Sequence, residues 1–296
     1  MPRILFLTAQ FGAPLAHNDN HVRLPGAFAA AGWQVDAVDH DTLRLVDGRV
    51  LAGPHDVASA DRVWVLGLGR AQTFLDRMQL LRRVPQHAFV TIADAFVYQH
   101  AKYAWSAYMP ETHAGVAVDA LVQHVQPGED WVVKPTAGSF GREVVRVRGP
   151  DAARQALASA TDEGRRYALL QRFVPDIVHG EKRTLIAGAR IIGTWLRQPG
   201  RDFRTNLALD GRAVATALTD AEAERVALIH ADLRDAGVGY AAIDLAGLNL
   251  MEVNLANPGG LATLAAVYGV DYAPAVVAAL AAPDWRAPAV STRPLR

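Results

Sequence analysis

The sequence predicts an α/β protein whose N-terminal third is a parallel sheet layered with helices and whose remainder is built on antiparallel strand pairs. Two observations lead there. Apolar runs of strand length alternate with helical stretches up to about Ile92, and that alternation implies crossover connections and a parallel sheet. Further along, apolar runs come in pairs around single tight turns at Gly188-Ala189 and at Gly247, which is the signal of a hairpin.

Taken in order, Ile4-Leu5-Phe6-Leu7 is a buried strand feeding a loop from Ala9 to Pro14. Val22 to Ala31 reads as a helix closed by Gly32, a residue suited to the left-handed turn past a helix end. Val35 to Val38 is a second strand, Arg62 to Gly67 a third, Ala71 to Arg83 a striped helix and His87 to Ile92 a fourth strand. Ala101 to Tyr108 is helical and stops near Pro110. Trp131 to Pro135 is a strand, followed by a small-residue loop and the strand Val144 to Val147. Asp151 to Ala160 is helical, and Ala168 to Val174 is a strand that Pro175 breaks. Arg183 to Ala187 and Arg190 to Arg197 form one hairpin, and Tyr240 to Leu245 with Asn249 to Val253 form another. Asp220 to Ala236 is a long amphipathic helix between them. From Ala281 onward prolines and arginines mark a loose tail.

Composition narrows the function classes. The chain has 296 residues, 51% of them hydrophobic, enough for a sizeable core without disulfides or structural metal. Thirty basic residues balance thirty acidic ones, which gives no sign of a nucleic-acid or membrane partner. There are no cysteines, so thiol nucleophiles, Cys-ligated zinc and disulfide frameworks are excluded. Met1 to Leu7 is too short and wrongly flanked for a signal peptide or membrane helix, and a cytoplasmic protein is expected.

Three groups of residues carry chemistry. Lys134 ends a strand and precedes Gly138, Ser139, Phe140 and Gly141. Backbone N–H groups in such a loop can cradle phosphates, with the lysine as a point charge; the alternative is a plain hairpin with a surface lysine. Glu252 and Asn254 lie two apart on one strand and so share a face, and a hairpin can bring Asp244 beside them. Three oxygen ligands of this kind suit Mg²⁺; the alternative is a set of solvated edge charges, though each sits in an apolar run where an unpaired carboxylate is costly. Arg183, Arg197 and Arg204, with Asn206, supply planar forks of donors for phosphate or carboxylate, unless they are ordinary surface arginines.

The order of these groups resembles that of the ATP-grasp ligases, and within them the prokaryotic glutathione synthetase branch. The stretches that carry the resemblance are Lys102…Trp105…Met109-Pro110-Glu111-Thr112, Val133-Lys134-Pro135…Gly138…Gly141, Gln171 to Pro175, Gly180 to Arg183, Arg197…Arg204-Thr205-Asn206-Leu207, and Asp244…Glu252-Val253-Asn254. The resemblance implies an ATP-grasp fold. A pre-ATP-grasp domain would occupy residues 1–98, a small β-rich lid 99–175, a C-terminal antiparallel-sheet domain 176–280, and the tail 281–296. It implies ATP and Mg²⁺, or Mn²⁺, as cofactors. Lys102 and Lys134 would hold phosphates under the 138–141 loop. Gln171, Phe173 and Val174 would form the adenine hinge, and Glu181 would bind the ribose. Asp244, Glu252 and Asn254 would hold the metal, with Arg183, Arg197, Arg204 and Asn206 around the γ-phosphate and an acyl-phosphate. The implied reaction joins a carboxylate to an amine on a small amino-acid or peptide substrate, and related ligases form dimers or tetramers.

The first hundred residues and the run after Asn254 depart from that family. Gly67 to Phe74 stands where glutathione synthetases carry an Arg-Lys-x-Pro-Pro-Phe-Asp stretch, Thr91 to Asp94 replaces an Asn-Lys-Pro stretch, and Leu255 to Leu261 replaces a Thr-Ser-Pro-Thr type run. These are places where donor or acceptor would sit, so the substrate pair stays open: γ-glutamylcysteine with glycine, another pair, or a peptide, as the Asn257-Pro258-Gly259-Gly260 run resembles peptide-extending relatives. A nucleotide-binding module without turnover is a further reading. Gly67-Leu68-Gly69 after a strand lacks the third glycine of a dinucleotide fingerprint, and no Gly-x-Ser-x-Gly elbow is present. The polar run His17 to His21 either reaches the substrate or is a solvated turn.

Overall fold

The apolar run at the N-terminus becomes β1 (Arg3–Thr8), in which Ile4, Leu5, Phe6 and Leu7 are all fully buried. A strand with no polar face must be covered on both sides, as in a parallel sheet. It lies between β2 (Gln34–Val38) and β6 (Arg62–Leu66), parallel to both. The computed structural model describes residues 1–11, 18–136, 143–200, 205, 211–282 and 285. Helix α1 (Asn20–Ala30) packs on one face of this sheet, with Phe28 edge-on to Phe6 and Trp64. Between β2 and β6 the chain makes a small antiparallel sheet of β3 (Arg44–Val46), β4 (Arg49–Ala52) and β5 (His55–Asp56). After β6 come α2 (Phe74–Leu81) and α3 (Ala93–Tyr98).

The expected fourth strand at His87 to Ile92 does not form. Gln86–Ala88 is a single 3-10 turn set by Pro85, and the rest makes one bridge to each of two neighbours. Val90 N–H donates to Val63 in the N-terminal sheet, and Ile92 N–H donates to Gly237 in the C-terminal half. A segment that crosses between two sheets cannot run along either, so its apolar run is burial without a ladder.

The second layer comprises β7 (Thr112–Gly115), α4 (Val118–Val122), β8 (Asp130–Pro135), β9 (Val145–Arg148), α5 (Pro150–Ala160) and β10 (Ala168–Arg172), with strand order β7-β10-β8-β9. Trp131, Val133, Leu157 and Leu170 form a core of its own. The third holds β11 (Glu181–Ala187), β12 (Arg190–Gln198), β13 (Arg212–Ala215), α6 (Asp220–Asp235), β14 (Tyr240–Ala246) and β15 (Asn249–Asn254), then α7 (Leu261–Tyr268) and α8 (Ala273–Ala281). Its five-stranded sheet runs β13-β12-β11-β14-β15. Helix α6 starts with a capping box in which Thr219 and Glu222 satisfy each other's backbone N–H. This sheet shares its core with the N-terminal one: Trp64 meets Tyr240 edge-on at 5.2 Å, and Ile4 and Phe6 belong to the same cluster as Leu185 and Val276. No helix among the described residues is long and apolar enough to cross a membrane.

Candidate active site

Register brings the charged residues of the C-terminal sheet together. Arg183 pairs with Asp244 across β11 and β14, Asp244 with Glu252 across β14 and β15, and Glu181 with Arg197 across β11 and β12. All of these point to one face because cross-strand partners share it. The Arg183 guanidinium binds Asp244 through two bonds, at 2.7 and 2.6 Å, and Arg197 reaches the same carboxylate at 2.7 Å. Arg197 also holds Glu181 at 3.0 Å, and the Thr205 hydroxyl donates to that Glu181 oxygen. Two cations and two anions therefore alternate in a nearly dry chain, Arg183–Asp244–Arg197–Glu181. Burial disfavours ionised Asp244, but Arg183 and Arg197 outweigh it and hold the carboxyl below the ordinary aspartate range. Burial wins at Glu181, where it raises the carboxyl despite Arg197. Arg183 is held charged by Asp244 against the cost of its own burial.

The lid contributes Lys134 from β8. The residue is 7% exposed, and its ammonium donates to the Gln171 side chain at 2.9 Å and reaches the Met251 carbonyl of β15 at 3.4 Å. Gln171 in turn donates to Thr112. Burial pushes Lys134 down to about 8, with Glu252 opposing and Lys102 adding to the fall. Lys102 stands at the start of the 3-10 segment Lys102–Tyr108 and pairs with Glu252 at 2.9 Å. Phe173 lies under the Arg146 guanidinium at 3.8 Å. Val174 packs with Ile177, Ala246 and Met251 where the lid joins the C-terminal sheet.

The sequence-predicted residues Lys102, Lys134, Gln171, Glu181, Arg183, Arg197, Asp244, Glu252 and Asn254 thus converge between lid and C-terminal sheet. Gly138, Ser139, Phe140, Gly141, Arg204, Asn206 and His17 lie outside the described residues. The expected metal ligands are not equivalent. Glu252 and Asn254 line a cavity and offer the hard oxygens that Mg²⁺ takes. Asp244 is fully buried with both oxygens on arginines, and Asn254 donates its amide to it at 3.4 Å. Among the described residues no three Asp, Glu, His or Cys side chains converge enough to hold a metal ion. The donor set fits a cation that keeps most of its shell from water and phosphate. Asp244 can join it only if the guanidiniums turn away.

The cavity has a volume of about 680 Å³ and continues from Lys102, Thr136, Glu252 and Asn254 to the carboxyl ends of β1, β2 and β6. There Gln10, Asp39, His40, Asp41, Gly67 to Arg70, and Asn257 form its other walls. Ligands of open parallel sheets bind outside strand carboxyl ends, which is where Val38-Asp39-His40-Asp41 lies. The polar run near Asn18 has a structural use. Asn18 donates to the Asn257 carbonyl, and buried Asn20 donates to the Asn257 side chain and the Pro258 carbonyl, all at 2.9 Å.

Comparison with known proteins follows the same lines. Residues 100–269 match the family described as prokaryotic glutathione synthetase, ATP-grasp domain. A glutathione synthetase of Prochlorococcus marinus (strain MIT 9313) is 33% identical over 174 residues, which is 58% of this chain and 56% of that protein. The chain therefore spans about half the length of the glutathione synthetases it matches. Over the whole fold it is similar to the D-cycloserine synthetase DcsG, with a TM-score of 0.65, 18% identity, and 95% and 99% of the two chains covered. It is similar also to the ATP-grasp ligase PsnB in complex with a minimal precursor, Mg and ADP, with a TM-score of 0.64, 14% identity, and 94% and 97% covered. An N-terminal parallel sheet, a lid sheet with Lys134 and an antiparallel sheet with Asp244 and Glu252 make up the ATP-grasp fold, and the chain belongs to the prokaryotic glutathione synthetase ATP-grasp domain family.

Proposed function

We propose that this protein is an ATP-dependent carboxylate–amine ligase that forms an amide or peptide bond through an acyl-phosphate, on a small amino-acid or peptide substrate. One observation supports it above the rest: the cavity that holds Lys102, Glu252 and Asn254 is continuous with the pocket at the carboxyl ends of the N-terminal sheet. A nucleotide's phosphates and a second substrate can therefore meet in one space.

Bound Mg-ATP would supply the phosphoryl group that turns a carboxylate, whose own leaving group is oxide, into an acyl donor. The rest falls to the chain as positioning and charge. Lys134 and Lys102 would hold phosphate oxygens. Gln171, Phe173 and Val174 would frame the base, with the 138–141 loop over the phosphates and Glu181 near the ribose. Glu252 and Asn254 would hold the cation, joined by Asp244. Arg183 and Arg197, with Arg204 and Asn206, would then face the charge that develops at the transferred group.

The test is ADP release from Mg-ATP with γ-glutamylcysteine, with and without glycine, followed by amino acids, dipeptides and their amides. Glycine-dependent release with the matching tripeptide would identify a glutathione synthetase. Release with another pair would name that pair. No release with any pair would sink the ligase reading and leave a nucleotide-binding module, and rates unchanged in Lys134→Ala and Glu252→Ala would sink the assignment of the site.

A further inference from the structure

Asp244 gives two arginines what a bound carboxylate would give them. One of its oxygens accepts from Arg183 Nε at 2.7 Å, and the other from Arg183 Nη2 at 2.6 Å and from Arg197 at 2.7 Å. Two parallel N–H···O bonds from one guanidinium edge are the geometry in which arginine recognises carboxylates. The pairing is exclusive. Asp244 is fully buried, so while both oxygens serve the arginines it offers nothing to a cation. While the arginines serve Asp244, the fork of Arg183 offers nothing to a ligand.

The two guanidiniums still have donors to spare. Arg197 Nε is buried and has no acceptor, and Arg183 Nη1 stands 3.4 Å from the Gly259 carbonyl, farther than an ordinary hydrogen bond. Buried donors are rarely left bare. The group also lies directly behind the cavity wall. Asn254, which donates to Asp244 at 3.4 Å, lines the cavity, and so does Pro258, the neighbour of Gly259.

Glu252, the cross-strand partner of Asp244, lines the cavity as well. The cation that Glu252 and Asn254 fit is therefore a neighbour of Asp244 too. At equal distance a divalent ion attracts a carboxylate about twice as strongly as one guanidinium does. With Asp244 drawn to it, Arg183 and Arg197 would be left nearly buried with Glu181 as their one carboxylate, a costly state unless another anion enters. Cation binding thus creates the demand for an anion where the ligand-free protein has none.

We propose that Asp244 holds the place of the acyl donor's carboxylate: Arg183 and Arg197 exchange Asp244 for that carboxylate once a divalent cation has taken Asp244, so the donor binds after the metal–nucleotide complex. The inference rests on the ligase reading for the words acyl donor; cation-gated binding of a carboxylate does not.

The experiment is nitrogen NMR on the full chain with labelled arginine, the Nε–H signals of Arg183 and Arg197 being assigned by their loss in Arg183→Lys and Arg197→Lys. Acetate is titrated against chloride at equal ionic strength, with AMPPNP alone and with Mg-AMPPNP. Mg²⁺ is expected to move both signals. Acetate should move them again, saturably, at a concentration at least about tenfold below that needed without Mg²⁺, an ordinary coupling between two sites. By reciprocity acetate should tighten Mg²⁺ binding at saturating AMPPNP by the same factor. Acetate binding that ignores Mg²⁺, arginine signals that Mg²⁺ leaves in place, or no response to acetate because the terminal phosphate has taken both guanidiniums, overturns the proposal. Asp244→Asn should bind acetate without Mg²⁺, and a variant still dependent on Mg²⁺ overturns the proposal as well; if that variant does not fold, the wild-type titrations decide by themselves. Cation-dependent acetate binding without ADP release for any substrate pair would refute the ligase reading and keep the exchange. ADP release by a protein whose arginine signals ignore Mg²⁺ would do the reverse.

Discussion

Lys134 costs the protein stability, and replacing it with methionine should make the ligand-free fold stronger. Its ammonium is buried, and the distance from the ordinary lysine value of 10.5 to about 8, at about 1.4 kcal/mol per pH unit, corresponds to about 3 kcal/mol of penalty at neutral pH. Methionine fills similar volume but loses the bond from the charged ammonium to Gln171, worth about 2 kcal/mol. The net gain is about 1 kcal/mol, or roughly 2 °C in Tm for a chain of this size. The pH dependence has a fixed sign. Below pH 8 the amine is charged in both folded and unfolded chains, so the penalty is complete and the variant's advantage is largest. Above pH 8 the folded protein sheds the proton while the unfolded chain keeps it up to 10.5, so wild-type stability rises and the advantage fades. Urea unfolding of both proteins at pH 7 and 10 measures the gap. A variant no more stable at pH 7, or a gap of constant size, refutes the reasoning. The same variant should fail to gain Tm with Mg-ATP, since a strained buried charge at a site is what a nucleotide phosphate would relieve.

Other changes test the frame around the site. Asp244→Asn leaves Arg183 and Arg197 buried with one carboxylate between them and should cost about 3–5 kcal/mol in urea unfolding; a wild-type midpoint would mean the arginines are solvated. Because Asp244 is held below the ordinary aspartate value, the stability it gives should persist at pH 5 and disappear only on acidification below about 3.8, read as a late acid transition in circular dichroism. Thr219→Ala removes the capping box of α6 and should cost about 1 kcal/mol, with no change in Mg-ATP affinity by calorimetry. Gly239→Ala would drive a methyl into the Val90 carbonyl oxygen and the Trp285 ring. A backbone oxygen cannot step aside, so a loss above about 2 kcal/mol is expected, and an unchanged Tm would contradict the close packing there.

The strands that carry chemistry were legible in the sequence because each obeys a local rule. Asp244 and Glu252 face one another because Gly247 closes a tight turn between apolar runs, and the Gly188-Ala189 turn does the same for β11 and β12. The hairpin of β3 and β4 obeys such a rule too, since Asp47-Gly48 both adopt positive φ between short apolar stretches. His87 to Ile92 failed for the opposite reason: its apolar residues are buried by two different sheets, and periodicity cannot tell such a crossing from a strand. Short β7 and β13 show little pattern because half of their residues face solvent. The pairing of Asp244 with arginines could not be read either, because it depends on which of several nearby charges a buried carboxylate takes in the absence of a cation.

That choice of partner sets how the two ends of the cavity relate. The pocket end is fixed: Gly67 N–H donates to the Ala256 carbonyl at 2.8 Å, Asn18 and Asn20 hold Asn257 and Pro258, and the N-terminal and C-terminal sheets share one core. The nucleotide end is assembled from side chains that currently satisfy each other, Lys134 on Gln171, Lys102 on Glu252, and both arginines on Asp244. The lid above them has its own core. Nucleotide entry would then exchange these internal pairs for phosphate and cation. Affinity for Mg-ATP is then the difference between two sets of charge contacts rather than their sum.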